Sequence, residues 1–346
     1  MVDPLRVVGC RRSAESRRQI TCMCAIDPDF SDRMSSTQVI GRFIFATASV
    51  LATTAAPAAG QHLSGTECGV LIHAREGSGF APLPQGDVFC PLIADPKETR
   101  SFVAYQRGKS ADQQTSLDGE PVDLAPFDTD IAAIGVGDAI GLARWSGSRP
   151  GNGVQVSLSA GVFAQFDLAT SSFDLINADY VIGLPVTFRQ NGFSGRLRVY
   201  HQSSHLGDEF LLREAPERVN LSFESAEVIL SQAFGGFRVY GGGELLFNRD
   251  PADLEPLVAH GGAELRAGVR GRRSFVAGLD LKSSGEQEWK PSWSGRAGFE
   301  LGWGRDPEHP PRVLRLLGEY YRGPSPYGQF YREHIQYWGI GVHLFP

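Results

Sequence analysis

Val154-Gln155-Val156-Ser157-Leu158-Ser159-Ala160-Gly161-Val162-Phe163-Ala164-Gln165-Phe166 sets the architecture. Every even position is apolar, while the odd positions hold Gln, Ser, Gly and a single Phe before Asp167. That is a period of two, the signature of a strand with one apolar and one polar face. Its 13 residues far exceed the about 5 to 6 of an ordinary strand. Tyr180, Ile182, Leu184, Val186 and Phe188 repeat the pattern against Asp179, Gly183, Pro185, Thr187 and Arg189. Asn191-Gly192 follows as a preferred two-residue hairpin turn.

Extending the alternation along the chain predicts 12 strands, at 101–107, 131–145, 152–167, 178–189, 193–204, 219–232, 237–248, 259–268, 273–283, 292–303, 312–322 and 334–345. Opposite the apolar strips lie Arg196, Arg198, Arg238, Glu244, Glu264, Arg266, Asp280, Lys282, Arg296, Glu300 and Glu319, charges of both signs that can pair across a closed lumen. Connections alternate in length. Asn191-Gly192, Gly235-Gly236 and Gly271-Arg272 are tight, 304–311 is intermediate, and 168–177, 205–218, 249–258, 284–291 and 323–333 are long and polar.

Short turns on one rim and long loops on the other are the habit of a spanning barrel. The expected fold is therefore all-β, a twelve-stranded antiparallel transmembrane β-barrel of outer-membrane type over 101–346. Closure pairs every backbone group that hydrocarbon would leave unsatisfied. Trp145, Phe166, Tyr180, Phe188, Phe247, Trp303, Tyr320 and Trp338 fall where aromatic girdles belong. A soluble sandwich or lipocalin-like barrel would have to bury the apolar face instead. Twelve long strands carry too much apolar surface for one such interior, since small soluble barrels have about eight strands.

Composition agrees. With 42% hydrophobic residues and a formal charge of -6 among 346 residues, the chain can bury a core and lacks the basic surface that nucleic acid requires. From Met34 the order is one basic residue, an apolar run from Phe43, and Ala56-Pro57-Ala58, which is that of a secretory signal. A signal peptide is expected at 34–58, with 1–33 an upstream mis-start and 59–100 an N-terminal periplasmic or plug segment. Only Cys68 and Cys90 would then survive export, and they are expected to form a disulfide. No Cys-x-x-Cys or His-Glu-x-x-His spacing occurs, so neither a metal nor another cofactor is expected.

Four blocks carry a family resemblance: Val88-Phe89-Cys90-Pro91-Leu92-Ile93-Ala94-Asp95-Pro96, Phe102-Val103-Ala104-Tyr105, His201-Gln202-Ser203-Ser204-His205-Leu206-Gly207-Asp208-Glu209, and Gly323-Pro324-Ser325-Pro326-Tyr327-Gly328-Gln329-Phe330. Their order resembles that of the bacterial domain-of-unknown-function family numbered 1207, grouped with outer-membrane barrels. The resemblance implies a barrel in the outer membrane of a Gram-negative bacterium and no particular activity. The last strand, with Trp338, Ile340, Val342 and Leu344 on one face and Phe345-Pro346 at its end, resembles the C-terminal strand that such barrels present to the barrel assembly machinery. Expected partners are that machinery and outer-membrane lipid.

One strand carries candidate chemistry. Leu197, Val199, His201, Ser203 and His205 share the apolar face, so His201 and Ser203 are expected to face lipid near the outer leaflet. An imidazole beside a hydroxyl can take its proton and make a nucleophile, with a third group orienting the ring. The pair resembles the His-x-Ser strand of outer-membrane phospholipase A and the lipid A deacylase barrels, which implies a lipid esterase. Asn220, Glu224 and Asp208 are candidate orienting groups. Glu224 is favoured for its charge, although its alternation with Leu221 and Phe223 points it inward. The catalytic set is therefore His201, Ser203 and Glu224. Alternatives are a rim cluster that shapes the loop 205–218, a cation held by His201, His205, Asp208 and Glu209, and a non-catalytic barrel acting as a narrow pore or structural protein.

Overall fold

The structure, a computed structural model, describes residues 79–110, 113–115, 121–123, 127–149, 151–216, 219–270, 273–303 and 312–345. The expected signal peptide, the upstream segment 1–33, Cys68, the turn Gly271-Arg272, the connection 304–311 and Pro346 lie outside them. Fifteen strands form: β1 (Gly79–Pro82), β2 (Ser101–Ser110), β3 (Gln113–Thr115), β4 (Pro121–Asp123), β5 (Phe127–Ser146), β6 (Gly153–Asp167), β7 (Leu175–Gln190), β8 (Phe193–Leu206), β9 (Ser222–Phe234), β10 (Phe237–Asp250), β11 (Leu257–Arg270), β12 (Arg273–Ser284), β13 (Ser292–Trp303), β14 (Arg312–Pro324) and β15 (His334–Phe345). A short helix, α1 (Asp208–Glu214), interrupts the long connection after β8.

β2 and β5 to β15 make the wall, each antiparallel to its chain neighbour. β15 pairs back onto β2, Leu344 opposite Ser101, and closes a barrel of twelve strands. All twelve expected strands are present, several running two to three residues further toward the long loops. The β3–β4 hairpin within the β2–β5 connection, the added β1 and helix α1 are departures, because none has the length or period that marks a wall strand.

Facing follows the alternation. Val154, Tyr180, Ile182, Leu184 and Val186 point outward and are exposed, whereas Gln155, Ser157, Ser159, Gln165, Asp179 and Thr187 are buried in the lumen. Trp145, Tyr180, Phe247, Tyr320 and Trp338 of the expected girdles are exposed on the outside. Inside, Glu227 accepts from Arg196 Nε at 2.8 Å and Arg198 Nη2 at 2.7 Å, and Glu319 accepts from Arg296 at 3.0 Å. Removing one member of such a dry pair costs about 3 to 5 kcal/mol, because it strands the other charge.

The lumen is not empty. Residues 83–100 pass through it between β1 and β2, and Val88, Phe89, Leu92, Ile93 and Ala94 are buried there. The wall supplies the hydrogen bonds that this irregular segment cannot make to itself. Arg144 donates to the carbonyls of Gln85 and Gly86 at 2.8 and 2.9 Å. Arg238 donates to Cys90 O at 2.9 Å, Ser294 to Ala94 O at 2.6 Å, and Ile93 N donates to Glu264 at 2.6 Å. Arg196 also pairs with Glu98 at 2.7 Å, and Lys97 with Asp179. Burial alone would raise the Asp95 carboxyl, yet Lys282 and His260 outweigh it and hold the group well below the usual carboxylate range. Cys90 is disulfide-bonded.

Candidate functional site

The hairpin at Asn191-Gly192 fixes the register of β8 against β7, and the tight turn at 235–236 follows β9. Ile182, His201 and Glu224 consequently stand in one cross-strand row, and Tyr180, Ser203 and Ser222 in the next. His201 Nδ1 lies 3.2 Å from Glu224 Oε1, with 41% and 29% of the two side chains exposed. His201 and Glu224 therefore meet on the outer wall. The inward orientation expected for Glu224 is wrong: Leu221 and Phe223 are the buried, lumenal residues, at 3% and 8% exposure, and Glu224 shares the outward face with His201. Alternation with Phe223 held, but the face given to Leu221 and Phe223 was inverted, because apolar residues fill part of the lumen near this rim.

The other candidate orienting groups are elsewhere. Asn220 donates to Asp250 at 2.6 Å, and Asp208 sits in the first turn of α1 without touching His201. His205 packs edge-on against Tyr180 at 5.7 Å, a neighbour that spacing along the chain could not indicate. His201, Ser203, His205, Ser222 and Glu224 together break the apolar outer surface of this part of the wall.

With Nδ1 engaged by a carboxylate, the neutral ring carries its proton there and leaves the Nε2 lone pair free, the state a general base needs. Ser203 is two residues away on the same face, about 6.6 Å along the strand. No hydrogen bond joins its hydroxyl to His201 among the described residues. The catalytic contact therefore requires a movement that brings Oγ to Nε2.

Among the described residues, a cluster able to ligate a cation occurs in the lumen, and the alternative set of His201, His205, Asp208 and Glu209 at the rim does not form one. Ligand atoms of Glu227, Glu244 and His260 lie within 4.8 Å of one another. Cationic side chains already occupy this neighbourhood, however: Arg196 and Arg198 hold Glu227, and Lys282 is 3.7 Å from Glu244. Above the segment 83–100, toward the long loops, a cavity of about 200 Å³ is bounded by Asp95, Lys97, Arg198, Tyr200 and Lys282.

Residues 61–345 match the family described as "Protein of unknown function (DUF1207)". The chain belongs to the DUF1207 family. No curated protein matches it. Among solved structures, the DUF1207 chain is similar to outer membrane phospholipase A from Escherichia coli, at 14% identity over 80% of this chain and 98% of that one, with a TM-score of 0.48. It is also similar to the translocator domain of the autotransporter NalP from Neisseria meningitidis, at 10% identity over 73% and 91% of the two chains, with a TM-score of 0.35. These likenesses concern the fold. The DUF1207 chain is a closed twelve-stranded barrel of outer-membrane type.

Proposed function

We propose that this DUF1207 barrel is a serine esterase in the outer membrane of a Gram-negative bacterium, acting on acyl esters of membrane lipid. Ser203 is the nucleophile, His201 the general base and Glu224 the group that orients the imidazole. One observation carries the reading: a His–carboxylate pair beside a serine on the outward face of a spanning wall, where such groups are expensive unless they have a use. In the reaction Ser203 Oγ attacks the ester carbonyl as His201 Nε2 takes its proton. The C–O bond to the lipid alcohol breaks and that proton passes to the leaving oxygen. Water activated by the same nitrogen then releases the fatty acid and restores the serine.

Release of labelled fatty acid from phospholipid or lipopolysaccharide by the purified barrel tests this. Ser203→Ala is expected to lower the rate by about 10³-fold or more. Release unchanged in that variant would reject the esterase. A pore is the weaker alternative, since residues 83–100 lie across the lumen, and planar-bilayer recordings of the wild type are expected to show no steady conductance. Delivery to the membrane by the barrel assembly machinery through β15 belongs to the same proposal.

A further inference from the structure

β5 is the longest strand of the wall, and the two strands beside its outer edge do not meet. β2 accompanies it from Phe127 to Gly135 and β1 from Ala143 to Ser146. Between them Ser101 Oγ bonds both the carbonyl and the N–H of Gly137, at 3.1 and 3.2 Å, and Leu83 N donates to Leu142 O at 3.1 Å. Among the described residues, no strand lies along that edge of 138–141. Because alternate residues turn their polar groups to alternate sides, those of Ala139 point into the gap. Its N–H is taken by the carboxylate of Asp138 at 2.7 Å. Ala139 shares its register with Ser159, which is buried in the lumen at 3% exposure, yet Ala139 itself is exposed. Among the described residues, no strand closes the wall at this point. Behind it a cavity of about 140 Å³ reaches from Arg196, Arg198, Thr99 and Arg100 to Asp138 and to Leu344, which faces outward on the far lip.

We propose that this slot is a lateral window in which a long-chain fatty acid lodges, its carboxylate in the cavity and its tail extending through the wall into the bilayer. The polar atoms lining the cavity select the head group. Arg100 Nε, Arg196 Nη2, Arg198 Nε and Thr99 Oγ1 are buried donors without a partner, against one unpartnered acceptor, Glu98 Oε2. Buried donors in that excess call for an acceptor-rich ligand. The volume selects its size: a site of about 140 Å³ admits a carboxylate and a few methylenes, so the rest of the chain must lie outside. Asp138, a carboxylate between Val136 and Ile140 on the outward face of β5, keeps the exposed backbone of the lip paired, as irregular backbone at membrane depth requires. On the outside, a groove bordered by His201, Ile182, Tyr180, Ala160 and Asp138 leads from the candidate serine site to the same lip.

Fatty-acid binding here does not depend on the esterase reading and is tested without it, in the full barrel carrying Ser203→Ala. Oleate labelled with ¹³C at its carboxyl is added to the protein in detergent micelles. A carboxylate resonance distinct from that of micellar oleate, at about one per barrel, is expected. Ala139→Trp, which fills the slot, should abolish it, and Arg198→Gln should weaken binding at least tenfold. Gel mobility of the unheated protein verifies that each variant has formed its barrel, and whichever folds decides the question. No separate resonance, or one undiminished in a folded slot variant, overturns the window. Loss of hydrolysis in Ser203→Ala bears on the esterase alone.

Discussion

His201 and Glu224 are far apart in the chain, yet cross-strand register makes them neighbours. Their link predicts a division of labour. Glu224→Gln keeps the shape of the side chain but can donate to Nδ1 and favour the wrong tautomer. It should lower kcat by about 10²-fold while leaving KM nearly unchanged, measured on a micellar ester. An unchanged kcat would remove Glu224 from the mechanism. The sequence identified His201 and Ser203 as outward-facing because strict alternation from Leu197 and Val199 reaches them. It misassigned Glu224 because Leu221 and Phe223 are apolar residues that point into the lumen, which an apolar-outside rule cannot anticipate.

Among the elements, the segment 83–100 was the least legible. It has no period of its own since irregular contacts hold it: Arg144, Arg238, Ser294 and Arg296 of the wall and its own Arg100 donate to its carbonyls. That lack of a period left a periplasmic segment and a plug both open, whereas the alternation of the lumenal charges on β8 to β14 with apolar residues was readable. Glu227 is the residue on which several of these contacts converge, binding Arg196 and Arg198 while Arg196 also holds Glu98. Glu227→Ala should therefore lower barrel stability by about 3 to 5 kcal/mol in urea unfolding, more than an ordinary surface deletion. Glu227→Gln, which keeps one carbonyl acceptor for one guanidinium group but turns an NH2 donor toward the other, should recover only part of that loss. Equal stability of Glu227→Ala and wild type would mean that water relieves the two arginines.

For the molecule as a whole, the strand number, the faces and the loop asymmetry were legible because a lipid-spanning strand must be long, closed and one-sided. The place along β5 where β2 stops and β1 begins was not, since alternation is silent about partners. The same physics separates positions around the wall by depth. Leu184 lies midway along β7 and faces outward, whereas Phe237 faces outward at the first residue of β10, beside a tight turn. Leu184→Arg should cost about 2 to 4 kcal/mol and Phe237→Arg about 1 kcal/mol or less, in unfolding from lipid bilayers. A water-soluble barrel would show no such gradient, because both side chains would exchange one solvated surface for another. Equal penalties at the two positions would therefore argue that the apolar strips do not face hydrocarbon, and with them would fall the location of His201 and Ser203 against lipid.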